Sequence, residues 1–178
     1  MIWKEFFFGF LSSFLASVAF LFMVLQYLRP KISISSYILQ RADFDEPNNL
    51  CYCFKILNIS HHSAFDIRLE LFLLKKISVG AGKMDERRTP INLKRSYLAH
   101  LPKYKKTKKI THFAPHALIF RCNEDLISLL HDENHCVELQ VTLRHGLTGL
   151  GKVFKQEFTR NRVKTGGFGF GNSLNIEQ

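Results

Sequence analysis

From Phe6 to Leu28 the chain carries 23 consecutive residues without a charge, rich in Phe, Leu and Val. A helix over that run is roughly 34 Å long at about 1.5 Å per residue, enough to cross a hydrocarbon core of about 30 Å. Trp3 and Tyr27 stand near its two ends, where amphipathic rings favour the headgroup region, and Pro30 stops it. A cleaved leader fits less well: its basic region would be Lys4 beside Glu5, and cleavage near Ala19 would leave the apolar Phe20 to Leu28 as a new terminus. A buried core helix needs a polar side that this run lacks. The sequence therefore predicts a transmembrane anchor over residues 1–29 and a separate head over residues 30–178.

Flanking charge sets the expected orientation. Lys4 lies on the amino side, whereas Arg29, Lys31 and Arg41 follow the span. That bias places the head in the cytoplasm and the helix, as a single pass, in the inner (cytoplasmic) membrane. Four Cys without a disulfide framework agree with a reducing compartment. Within the span, Gly9, Ser12, Ser13, Ala16 and Ser17 recur at spacings of three and four, which puts small residues along one helix face where backbones can approach. The stripe predicts helix self-association and a homo-oligomer in the bilayer.

The head is long enough for one real core. Charged residues at 22% and 17 Phe in 178 residues exclude a disordered chain, and the length excludes a two-domain doubly wound enzyme. Alternation dominates. Strands are expected at Lys31–Leu39, Leu50–Ile59 and Phe65–Leu74, with Tyr52, Phe54 and Ile56 facing inward and Cys51, Cys53 and Lys55 outward. A polar loop is expected from Lys75 to Thr89, followed by short apolar runs at Ile91–Leu93, Tyr97–Leu101 and Ala117–Cys122. A short helix over Glu124–Leu130 would be capped by Asn123, and strands are expected at Cys136–Arg144, Lys152–Phe158 and Gly166–Leu174. The fold class predicted is mainly β: a transmembrane helix, then an antiparallel, immunoglobulin-like β-sandwich with one short helix.

The order of these pieces carries a resemblance. Phe54-Lys55-Ile56-Leu57-Asn58-Ile59-Ser60 followed by Ala64-Phe65-Asp66-Ile67-Arg68-Leu69-Glu70-Leu71 reads as strand, turn, strand. The helix at Glu124–Leu130 leads into Val137-Glu138-Leu139-Gln140-Val141-Thr142-Leu143, and Gly167-Phe168-Gly169-Phe170-Gly171 follows near the end. Over residues 50–172 this arrangement is similar to the cytoplasmic immunoglobulin-like domain of inward-rectifier potassium channels. The resemblance implies a regulatory domain beneath a membrane, oligomeric and responsive to lipid headgroups or small ligands. The chain lacks those channels' second membrane helix and their Thr-Val-Gly-Tyr-Gly filter, so potassium conduction by that machinery is excluded.

Signatures of catalysis are missing. His131-Asp132-Glu133-Asn134-His135-Cys136 gathers potential ligands, but Asp132 to Asn134 reads as a turn rather than a rigid ligand pair. His112 and His116 are separated by Ala114-Pro115, and Cys51 and Cys53 on one strand face cannot form a normal disulfide. No Gly-x-Ser-x-Gly elbow occurs, Gly149-Leu150-Gly151-Lys152 lacks phosphate-loop spacing, and Gly166 to Gly171 reads as a strand. The expectation is a non-enzyme with no cofactor and no metal.

What remains is basic charge. Lys103, Lys105, Lys106, Lys108 and Lys109 fall within seven residues. Such a cluster is either a solvated loop or an anion-binding surface, and on an anchored protein the nearest anions are lipid phosphates. Tyr104 alone offers base stacking within it, which argues against sequence-specific RNA recognition. The function expected is a membrane-anchored, non-enzymatic sensor or effector. Its basic head would bind an anionic ligand, lipid or partner and act through helix self-association, permeabilising the inner membrane as bacterial anti-phage effectors do. The alternative is a tethered scaffold that docks a protein partner or nucleic acid at the membrane.

Overall fold

Two periods run through the chain, and each produces the element it encodes. The computed structural model describes residues 2–44, 46–47, 49–78, 80, 84–106, 114–146 and 149–177. The apolar run forms one helix, α1 (Ile2–Leu28). The alternating segments form β1 (Ile32–Ile34), β2 (Ile38–Ala42), β3 (Leu50–Asn58), β4 (Ala64–Ser78), β5 (Met84–Ile91), β6 (Tyr97–Leu101) and β7 (Ala117–Cys122). A short helix, α2 (Leu126–Leu129), precedes β8 (His135–His145) and β9 (Gly151–Phe158). After one 3₁₀ turn at Arg160–Arg162 come β10 (Val163–Thr165), β11 (Gly167–Phe168) and β12 (Ile176–Glu177).

The strands make two main layers. In the first, β3 is flanked on one side by β7 and on the other by β1 and β2 in succession, all antiparallel. In the second, β4 pairs with β8 along one edge and with β6 and then β5 along the other, and β9 extends the sheet beyond β8. With β1 and β2, β3 and β7 in one layer against β4, β8 and β9 in the other, the arrangement is of the immunoglobulin type. Tyr52, Phe54, Ile56 and Phe120 of the first layer share one core with Ile67, Leu69, Leu71, Val137, Leu139, Val141 and Phe158 of the second. Phe54 and Phe158 meet edge to face at 5.5 Å across the layers, both fully buried.

Four expectations are corrected. The segment from Lys75 to Thr89, expected as a loop, continues β4 and returns as β5, pairing Lys76 with Glu86 and Leu74 with Arg88. Its side chains are mostly exposed on both faces, so no apolar alternation announces it. The cap of α2 is Asp125, not Asn123: Asp125 is extended and accepts from the N–H groups of Ile127 and Ser128.

The third correction concerns residues 166–174. They do not run on as a strand; β11 covers two residues and the chain then turns at Gly171, whose φ is +58°. Gly166 has φ +137°, and a Cβ there would lie 2.9 Å from the Glu177 carbonyl, so glycine alone lets β12 return beside β11. Preceding it, β10 pairs parallel with β2, a strand the sequence did not announce.

The fourth correction follows from this C-terminal return. Cys51, Cys53 and Lys55, expected to face solvent, are buried, because Phe168 and Ile176 pack over Leu39, Cys51 and Cys53. Lys55 donates from Nζ to the carbonyls of Gly169 (2.8 Å) and Ser173 (2.6 Å), so the tail clamps a strand cation rather than water.

Candidate functional site

The helix and the head meet at the turn between β3 and β4. The Tyr27 ring stacks near-parallel on His61 at 6.3 Å and edge-on against His62 at 5.3 Å, and His62 in turn meets His145 at 5.0 Å. Burial first, and the neighbouring His62 second, hold the His145 imidazole below its ordinary range. Above this contact Trp3 through Met23 are all exposed, and only the end of the span near the head, at Val24, Leu25 and Leu28, is half-buried.

Asn58, the last residue of β3, organises the same end. Its side chain is fully buried, and Nδ2 donates to the carbonyls of His62 (3.0 Å), Leu101 (3.3 Å) and Pro102 (2.8 Å). Its Oδ1 accepts from the N–H of Ser60 at 3.0 Å and from the Ser60 hydroxyl. The Tyr104 N–H then donates to the Ser60 carbonyl at 3.0 Å, and the Tyr104 ring meets His116 edge-on at 5.2 Å. These bonds fix the stretch after β6 beside the turn on which Tyr27 packs. The start of the basic cluster is thereby brought to the end of the head from which the helix leaves.

Lys103, Lys105 and Lys106 are exposed there and make no ion pair among the described residues, while Lys108 and Lys109 lie outside the described residues. Four other cations behave differently. Arg88 and Lys155 both approach the buried Glu138, at 3.5 and 3.3 Å, and Lys94 and Arg121 hold the buried Asp43 at 2.5 and 3.7 Å. A cation that neutralises a buried acid is not free to recruit an outside anion. The three lysines next to the helix are.

On α1 the small residues do share a face. Gly9, Ser12, Ser13, Ala16 and Ser17 are all exposed, nothing approaches within 4 Å of a Cβ built on Gly9, and the Ser17 hydroxyl is spent on the Ser13 carbonyl at 2.9 Å. That internal bond leaves Ser17 as a small, satisfied surface in an apolar setting.

The other clusters stay local. His131 and His135 lie with ring centroids 5.6 Å apart beside Asp132, whose carboxylate is held low first by the Asn134 N–H. Among the described residues no group of three His, Cys, Asp or Glu side chains converges on one point. The Cys51 and Cys53 sulfurs are 3.8 Å apart as free thiols, and burial pushes the Cys53 thiol up to about 11.

Sequence reasoning missed the hub at Asn58, which is one polar residue at a strand end. Its only local signal is Asn58-x-Ser60 before His61-His62. Compared with known proteins, the chain matches no family model, and no curated protein matches it. The resemblance to the inward-rectifier head therefore rests on element order alone.

Proposed function

We propose that this protein is a single-pass, membrane-anchored, non-enzymatic sensor or effector. In this reading α1 crosses the bilayer and the sandwich stands at the cytoplasmic face. Lys103, Lys105 and Lys106 engage lipid phosphates there, and the output passes through self-association of α1 along its small-residue face. Assembled helices that permeabilise the inner membrane would give such a device its effect in defence of a bacterium against phage.

The observation that carries this reading is the bareness of α1. Covering one large apolar side chain is worth about 1.5–3 kcal/mol. Thirteen such side chains, from Trp3 to Met23, stand in the open. Left in water they would cost more than the roughly 5–15 kcal/mol by which a domain is stable. A hydrocarbon layer supplies the missing cover, and the placement of the three unpaired lysines at the helix exit supports contact with its anionic surface at about 1 kcal/mol per lysine.

Hydrogen exchange of the full chain in nanodiscs tests the surface contact. Residues 102–106 should gain protection when anionic lipid replaces neutral lipid and lose it at high salt. Equal exchange in both lipids would remove the headgroup contact from the account.

A further inference from the structure

A second basic feature lies on the outer face of the first sheet; the tail turn that lines it leads into Asn172, whose Nδ2 donates to the Tyr104 hydroxyl and the Lys105 carbonyl, both at 3.4 Å, so it borders the Lys103–Lys106 stretch. A cleft of about 350 Å³ is lined by Arg41, Lys55, Ile119 and the backbone turn Phe168–Gly171. Arg41 stands on β2 next to Cys51 of β3, and its guanidinium lies over the Phe44 ring at 4.7 Å. Stacking on a ring leaves a guanidinium's N–H edge to find acceptors in its own plane. Part of that edge meets the Cys53 thiol, but Arg41 Nε is buried without a hydrogen-bond partner, and Arg41 makes no ion pair among the described residues.

The thiol beside it does not supply a charge. Cys53 is kept as a neutral thiol by burial, its pKa pushed up to about 11, although Arg41 beside it acts in the other direction. The second cation of the cleft, Lys55, is 3% exposed, and its ammonium is answered by two neutral carbonyls and the Phe168 face at 6.0 Å. Burial lowers its pKa, with Glu177 opposing. Two cations at one cleft, with the Glu177 carboxylate near Lys55 and one guanidinium N–H buried and unanswered, leave a net positive site suited to a further acceptor of negative charge.

We infer that this cleft binds a small organic phosphate of mononucleotide size. Its phosphate is taken by the Arg41 guanidinium edge beside Lys55, and its flat apolar part lies against Ile119 and the Phe170 edge of the tail turn. The volume falls at the lower end of small-ligand sites. Planar N–H donors suit a phosphate, which can accept two bonds from one guanidinium. Ile119 is 41% and Phe170 50% exposed, so the rim is apolar and open to solvent. The inference does not depend on whether Lys103–Lys106 meet lipid.

The test is thermal unfolding of the full chain in mild detergent with four probes: inorganic phosphate, a nucleoside 5′-monophosphate, its parent nucleoside, and phosphatidic acid in the detergent micelles. The monophosphate at about 100 times its Kd should raise Tm by roughly 5–10 °C. The nucleoside should leave Tm unchanged, and inorganic phosphate should act more weakly than the monophosphate. Arg41→Gln should weaken monophosphate binding at least about tenfold. Ile119→Glu, which puts an acid at the exposed rim directly across the strands from Lys55, should do the same. Exchanging Lys103, Lys105 and Lys106 for Gln should leave the shift intact. No shift with the monophosphate, an equal shift with the nucleoside, a shift that survives both Arg41→Gln and Ile119→Glu, or a response confined to phosphatidic acid would overturn the inference.

Discussion

Asn58 donates from Nδ2 to the Pro102 carbonyl at 2.8 Å, which ties the end of β3 to the first residue after β6. The same amide reaches His62 and Leu101, so one buried side chain sets the place of both the Tyr27-binding turn and the basic stretch. Asn58→Ala leaves several buried backbone groups without partners and should cost about 2–4 kcal/mol. Urea unfolding of the full chain in detergent reads the loss, and hydrogen exchange should show residues 102–106 loosening more than β8.

The edge-to-face pair of Phe54 and Phe158 is the principal aromatic contact between the layers. Phe158→Ala removes one fully buried ring and opens a cavity in the shared core. The expected loss is about 3–5 kcal/mol in the same unfolding experiment. Phe158→Leu should recover more than half of it.

Much of the sandwich was legible because the alternation in β3, β4, β8 and β9 is set by burial on one face, and period two survives in the residue order. The apolar helix was equally plain from Phe6 to Leu28. What could not be read depends on distant parts of the chain. Lys55 looks like an outward strand lysine until Gly169 and Ser173, more than 100 residues later, present their carbonyls to it. The β4–β5 hairpin escapes notice because it is exposed on both faces and has no apolar period. Of the candidate sites, the lysine cluster was visible as composition, but its place beside the helix depends on Asn58, and the Arg41 cleft depends on how the C-terminal turn folds over β3.

Lys55→Met tests the clamp on that turn. Two hydrogen bonds from a buried ammonium are lost, and a side chain of similar length remains to fill the space. The expected cost is about 2 kcal/mol, since bonds to charged groups are worth about 1.5–3 kcal/mol and the desolvation of the charge is relieved. Limited proteolysis should release the tail after Thr165 sooner than in the wild type.

His145 predicts a pH dependence. Its folded pKa lies below the ordinary 6.5, so the unfolded chain takes up the proton first as pH falls. Stability from this group is therefore fully present above pH 6.5 and declines as the pH drops through the folded value. Between about pH 5 and about pH 7.5 the wild type should gain stability. His145→Gln should gain less, and a slope unchanged by the substitution would show that His145 contributes nothing to it.

The most direct test of the membrane reading is extraction of the full chain from cell membranes with alkaline carbonate, which strips proteins held only by surface charge. The account predicts that the chain stays in the membrane pellet and enters solution only with detergent, as the uncovered side chains from Trp3 to Met23 require. Release into the carbonate supernatant without detergent would contradict it.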